Sequence, residues 1–350
     1  MRKFFLFSFF VILVAAAVFK VVQNNQIKEN QTAGVVQSVT EKQIIKVGYF
    51  ANITHAQALI GMAKGYFQKS LGDNVEIQVK TFNAGPSEIE ALFAGEIDIG
   101  YIGPSPAING YVKSNGEALR IISGGASGGA SLVVQPDVFA AYQKEGVKAL
   151  EGKKIASPQQ GNTQDISLRH YLKENNLIDK TQIVPIANAD QLTMFSLKQL
   201  DGAWAPEPWA SRLIKEAGGK RLIDERELWP DKKFCTTNII VSTKFLKEHP
   251  DLVKKWLQAH IQTTDWISAN LQEAQSIVNS EIERLTTKKL PQELLSEAWQ
   301  MLSFEIDPLK SSVFTFAGWA FDQGFLGNKE PDLINLYDLN ILNEIANTKY

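Results

Sequence analysis

The feature that most constrains this chain is a unit it repeats: a short apolar strand, a loop of small and polar residues, then the start of an amphipathic helix. Residues 155–177, IASPQQGNTQDISLRHYLKENNL, hold the clearest copy. Asn162 or Thr163 suits the N-cap, Asp165 falls in the first turn, and Ile166, Leu168, Tyr171 and Leu172 make one apolar stripe. The first amides of such a helix lack intrahelical partners and face the loop, so the unit can hold an anion or a polar head group. Taken alone it reads as an ordinary capped helix. Repetition carries the functional argument.

Residues 44–50 (IIKVGYF) predict a strand, followed by a loop at 51–54 and a helix over 55–72 opened by a Thr54–Gln57 capping box. VEIQVKTF alternates like a half-buried strand, and after Asn83-Ala84-Gly85-Pro86 a second capping box, Ser87 with Glu90, opens another helix. A strand ending at Gly103 leads through Pro104-Ser105-Pro106 into a third, since proline suits a first turn. In LRIISGGASGGASLVVQ the stretch 123–131 reads as a loop, either one that lets backbone approach a ligand or a flexible hairpin. A helix follows Pro136, then the 155–177 unit, then QIVPIANAD as strand and loop and QLTMFSLKQL as helix. DGAWAPEPWASRLIKEAGG is strand, loop and helix, with Pro208 at the first helical position. NIIVS (238–242) is the last expected strand, and everything beyond it reads as helix.

Alternation of strands and helices implies an α/β fold with parallel sheets, in which ligands collect at the carboxyl ends of the strands. The loops at 51–55, 83–87, 103–107, 157–164 and 203–208 all belong to that class and are expected to line one cleft. None of them, nor the 123–131 stretch, contains lysine or arginine. Arg169 and Arg212 lie one or two turns down their helices and are assigned to solvated ion pairs. A small monoanion would then be held by amides, hydroxyls and helix-end partial charges of about half a unit. A multiply charged phosphate ester would be poorly served. His55 either donates to a ligand oxygen or fills the cleft floor. Glu207 either receives a ligand amine or hydroxyl or only serves its own helix start. Trp204 and Trp209 bracket it, and one of the two is expected to touch ligand.

Other classes fall away on composition. A net charge of -2 with no long basic run gives no footprint for nucleic acid. Cys235 is the sole cysteine, and His55, His170, His249 and His260 show no metal-binding spacing, so no cofactor, metal or catalytic residue is expected. No nucleophile–base pairing suggests an enzyme. At the N-terminus, Met1-Arg2-Lys3 precedes an apolar run over 4–19 containing Ala15-Ala16-Ala17. Residues 1–19 therefore read as a signal peptide or an uncleaved anchor, and 20–43 as a flexible tether, placing the protein outside the cytoplasmic membrane.

VGYFANITHAQALIGMAKGYF, FNAGPSEIEALFAGEIDIGYIGPSPAI, IASPQQGNTQDISLRHYL, GAWAPEPW and IIVSTKFLKEHPDLV together carry a family resemblance over roughly residues 44–330. The chain resembles the periplasmic substrate-binding proteins of ABC importers, in the aliphatic-sulfonate, nitrate and taurine-binding group. The resemblance implies a type II periplasmic-binding-protein fold, with two α/β lobes joined by two crossing segments, here SLVVQ and NIIVS. Lobe one would be 44–132 plus 241–350, and lobe two 133–240. It implies capture of a small solute, most often an alkanesulfonate for sulfur uptake, and delivery to an ABC permease with its cytoplasmic ATPase; a monomer is expected. Ligand contacts would come from Asn52, His55, Ser87, Ser105, Ser127 and Gly128 in lobe one and from Asn162, Thr163, Glu207 and Trp209 in lobe two. Taurine, nitrate or bicarbonate, and a pyrimidine or other heterocycle are alternative solutes, the uncharged loops weighing against nitrate and bicarbonate. A sensing domain docking to a membrane receptor is a further alternative. Thiamine-pyrimidine synthases share the fold but carry a cysteine-rich motif that this chain lacks.

Overall fold

A computed structural model describes Lys20 and residues 42–350. The signal or anchor segment and most of the tether expected at 20–43 lie outside the described residues. Among the described residues, no helix is long and apolar enough to cross a membrane. The strands are β1 (Gln43–Phe50), β2 (Val75–Phe82), β3 (Ile99–Ile102), β4 (Leu119–Gly128), β5 (Ala130–Val134), β6 (Lys154–Ser157), β7 (Gln182–Pro185), β8 (Gly202–Pro206), β9 (Lys220–Asp224), β10 (Cys235–Ser242) and β11 (Leu302–Phe304). They form two sheets, ordered β11-β4-β10-β3-β1-β2 and β7-β6-β8-β5-β9.

Each sheet has a parallel trio, β2-β1-β3 and β7-β6-β8, as strand–helix alternation requires. The remainder is antiparallel: β10 pairs β3 and β4, β11 pairs β4, and β5 pairs β8 and β9. The fold is α/β with two lobes, as expected, but its sheets are mixed rather than parallel. The central strands of each are buried on both faces, so their side chains split by the two-residue strand period. Ile99, Tyr101, Ile239 and Val241 enter one core with Trp256 and Phe67, whose rings stack at 3.8 Å. Ile102, Ile121 and Ile240 face the opposite core with Phe316. In the second sheet Leu132, Val134 and Trp204 take one side, and Val133, Ala203 and Ala205 the other.

The local readings need several corrections. Residues 123–128 are strand, because β10 and β11 on either side of β4 supply its backbone partners. The helix expected over 55–72 is a single turn at Ile53–His55, a helix Ala56–Ala63, and a second, Tyr66–Leu71, beyond a left-handed Gly65. Neither capping box forms. Gln57 reaches across to donate to the Gly125 carbonyl at 2.5 Å, and Ser87 donates back to the Ala84 carbonyl at 2.8 Å. Pro208 precedes its helix, Trp209–Lys215, after a cis Glu207–Pro208 peptide. β9 and β11 were not expected at all.

The connections between sheets also differ from expectation. SLVVQ lies almost wholly in β5 of the second sheet, and NIIVS lies in β10 of the first. The chain passes out at Gly128-Gly129, both at positive φ, and returns over residues 225–234. On the return, Glu225 belongs to the second lobe, accepting from Ser167 Oγ and Trp204 Nε1, each at 2.6 Å. Trp229 already packs on Phe316 of the first lobe at 4.8 Å. The passages are neighbours: a Cβ on Gly128 would sit 3.0 Å from Arg226 Cδ.

Candidate functional site

The carboxyl ends of all six parallel strands meet in one cleft between the lobes. β1 delivers Asn52, Thr54 and His55, β2 delivers Asn83, and β3 delivers Gly103. Opposite them, Asn162, Thr163 and Gln164 follow β6, Asn188 follows β7, and Pro206 ends β8. No lysine or arginine lines it. Its volume of about 20 Å³ leaves room for roughly one water molecule, so the lobes are close to shut.

Two contacts join the lobes at the cleft itself, besides others farther out such as Lys215–Glu293 and His170–Trp319. Trp209 Nε1 donates to Asn52 Oδ1 at 3.1 Å. Gly103 lies so near Thr163 that a Cβ there would stand 2.4 Å from the threonine Oγ1. On the second lobe, Asn162 caps the helix Thr163–Glu174, accepting from the Thr163 amide at 2.6 Å. The loop behind it is tied down by Asp165, which accepts from Ser157 Oγ at 2.7 Å, the Gly161 amide at 2.9 Å and Arg169 Nε at 2.9 Å. With its donors all from the protein, Asp165 holds the loop rather than facing the cleft.

The cleft carries no formal charge. Burial depresses His55 to about 3, so its ring is neutral at physiological pH. Its Nδ1 accepts from the Phe50 amide at 3.3 Å, leaving the proton on Nε2 as a donor. Thr163 Oγ1 and Asn188 Oδ1 are buried with no partner among the described residues. Such groups cost about 1–3 kcal/mol each while unmet, and a bound solute is the natural source of partners. Among the described residues, no cluster of histidine, cysteine, aspartate and glutamate is arranged to hold a metal.

Residues 38–280, more than half of the chain, match the NMT1-like family. The chain belongs to that family. It is 26% identical over 236 residues to a Brucella abortus protein whose name describes it as a binding protein, covering 67% of this chain and 70% of that one. It is 25% identical over 233 residues to a Bacillus subtilis protein named for binding aliphatic sulfonates, covering 66% of this chain and 67% of that one. Among solved structures, the alkanesulfonate-binding protein of Xanthomonas axonopodis pv. citri, bound to MOPS, superposes with a TM-score of 0.68 at 16% identity. That match covers 83% of this chain and 96% of the other, and it shows the shared fold.

In this NMT1-like chain, Asn52, His55, Asn162 and Thr163 meet in the cleft as the sequence indicated. Trp209 stands at its edge, while Trp204 is fully buried in the second lobe. The structure places the other expected residues elsewhere. Ser87 is spent on its own helix start, and Ser105 is buried in the first turn of the helix Pro104–Lys113, outside the cleft lining, its Oγ without a partner among the described residues. Ser127 is a paired residue of β4, and Gly128 is the passage between sheets. Glu207 turns inward, accepting from Arg221 at 3.1 Å and from the Ser211 amide at 3.0 Å. Burial lifts its carboxyl to about 7, with Arg221 opposing the rise. Arg169 and Arg212 are ion-paired, to Asp165 and Glu216, but the pairs are not the solvated ones expected, since Asp165 and Arg212 are buried.

Asn83 and Asn188 are additional. Both follow strands whose loops carried the repeated signature, so the same rule could have found them. Thr236 also lines the cleft but sits on antiparallel β10, where no local signal points to it.

Proposed function

We propose that this protein is the extracytoplasmic solute-binding component of an ABC importer, capturing a small solute with a single oxyanion head, foremost an aliphatic sulfonate. The observation that carries the reading is the uncharged cleft at the carboxyl ends of both parallel trios. Dipolar groups suit a weakly hydrated monoanion, and a cation-free lining disfavours a phosphate ester. The names of the Bacillus and Xanthomonas relatives point to the same solute class. Solute must enter an opened form and favour closure through contacts that exist only when both lobes engage it. An ABC permease and its ATPase would receive the cargo.

A thermal-shift panel of alkanesulfonates, taurine, nitrate, bicarbonate and pyrimidines tests this. A cognate sulfonate at a hundredfold excess over its dissociation constant is expected to add about 2.7 kcal/mol of stability. A shift with nitrate alone would reject the sulfonate. Asn162→Ala and Thr163→Ala should each weaken binding about tenfold, with a smaller effect on stability. Calorimetry showing unchanged affinity would remove that loop from the site.

A further inference from the structure

Beside the polar cleft lies a second chamber of about 220 Å³, also walled by both lobes. The two are continuous in the chain: Asn83 lines both, and Ala51 and Ala189 of the second are sequence neighbours of Asn52 and Asn188 in the first. The Trp209–Asn52 hydrogen bond marks the division between them. Leu192, Trp209, Ile282 and Leu290 give the chamber an apolar wall.

Its polar groups are largely spoken for. Thr193 and Thr286 hydroxyls donate to the carbonyls of Ala189 and Ile282 in their own helices. Arg212 lies 4.6 Å over the Trp209 ring and is held by Glu216 at 2.8 Å. Lys288 differs. It lines the chamber, is exposed, and makes no ion pair among the described residues, whereas its neighbour Lys289 pairs with Glu283 at 3.6 Å.

We propose that Leu192, Trp209, Ile282 and Leu290 form a subsite for an apolar spacer of the solute, with Lys288 placed to meet a distal anionic group. The assignment rests on the head group occupying the polar cleft as argued above. It narrows the solute class to an alkyl or ring-bearing sulfonate with a second anionic end, instead of a minimal one. Burying methylenes supplies affinity, and a cation at an exposed rim adds a smaller, salt-sensitive increment.

Calorimetry of the full chain with methanesulfonate, hexanesulfonate and 7-sulfoheptanoate separates these contributions. Hexanesulfonate is expected to bind at least tenfold more tightly than methanesulfonate, and 7-sulfoheptanoate about threefold more tightly again. Leu192→Ala should shrink the first gain. Lys288→Gln, an exposed substitution, should abolish the second while leaving hexanesulfonate unchanged. Equal affinities across the series, or a carboxylate gain that survives Lys288→Gln, would overturn the subsite and leave the head-group reading standing. If methanesulfonate also fails to bind, the sulfonate reading itself falls and takes the subsite with it.

Discussion

Gly128→Ala is expected to destabilise the protein by about 2–5 kcal/mol, the sum of two separate penalties. At φ +76° an L-residue carries a left-handed backbone, worth roughly 1–2 kcal/mol. The new methyl would also stand 2.6 Å from the Met301 carbonyl oxygen, a backbone atom that cannot swing aside. Overpacking of that kind adds roughly 1–3 kcal/mol. Gly65→Ala is the matched control, since Gly65 has φ +68° but nothing within 4 Å of the added carbon. Denaturant titrations should therefore show Gly128→Ala losing clearly more than Gly65→Ala. Equal losses would mean that the contact with Met301 relaxes at no cost.

The second large effect is an acid-shifted stability profile. Burial raises Glu207 and Glu225 to about 7, and raises Glu88 well above its usual value. Burial lowers His55 to about 3 and His260 to about 4. For the carboxyls the folded form keeps its proton longer than the unfolded chain. Their contribution is complete below about pH 4.5 and is lost as pH rises through the folded values, about 3 kcal/mol each for Glu207 and Glu225. The histidines act oppositely, costing stability as pH falls below about 6.5, where the unfolded chain takes up protons first. Above about pH 6.5 the imidazoles are neutral in both states and only the carboxyls act, so stability is expected to decline from about pH 6.5 toward pH 8.

Glu88→Gln isolates one member of that set. Both Glu88 carboxylate oxygens lack partners among the described residues, so the substitution breaks no hydrogen bond. The variant should match the parent in acid and exceed it above neutral pH. Melts that rise steadily in stability from pH 5 to 8 would show that these carboxyls ionise freely.

Much of the fold was readable because its parallel trios are built from local units. In each, a β-branched strand, a small-residue turn and a helix start lie within about twenty residues, and the unit at 155–177 formed with the Asn162 cap. Its expected single stripe is nevertheless split, Ile166 joining the core of Phe316 and Leu168, Tyr171 and Leu172 the core of Trp204. What escaped reading depends on distant partners. The glycines and serines of 123–128 look like loop until β10 and β11, remote in sequence, pair with them. KRLID and LSF become β9 and β11 only by attaching to edges that other segments create. Gln57 had the right spacing for a capping box, but the Gly125 carbonyl offered a buried acceptor and drew it away.

The site divides the same way. Asn52, His55, Asn162 and Thr163 were legible because each sits just beyond a parallel strand. Glu207 also occupies such a position, yet Arg221 on β9, an unforeseen strand, turns its carboxylate inward. Gly128 was rightly singled out for its backbone freedom. That freedom serves the chain's change of sheet and not an approach to ligand.

The adjacency of the two inter-sheet connections limits how the molecule can move. One is a pair of glycines; the other has only Arg226–Leu228 between Glu225, held in the second lobe, and Trp229, packed into the first. Four Cα steps span at most about 14 Å even when stretched, so the halves cannot be drawn bodily apart. That leaves a swing about the line through Gly128 and Arg226, which would part the Trp209–Asn52, Lys215–Glu293 and His170–Trp319 contacts.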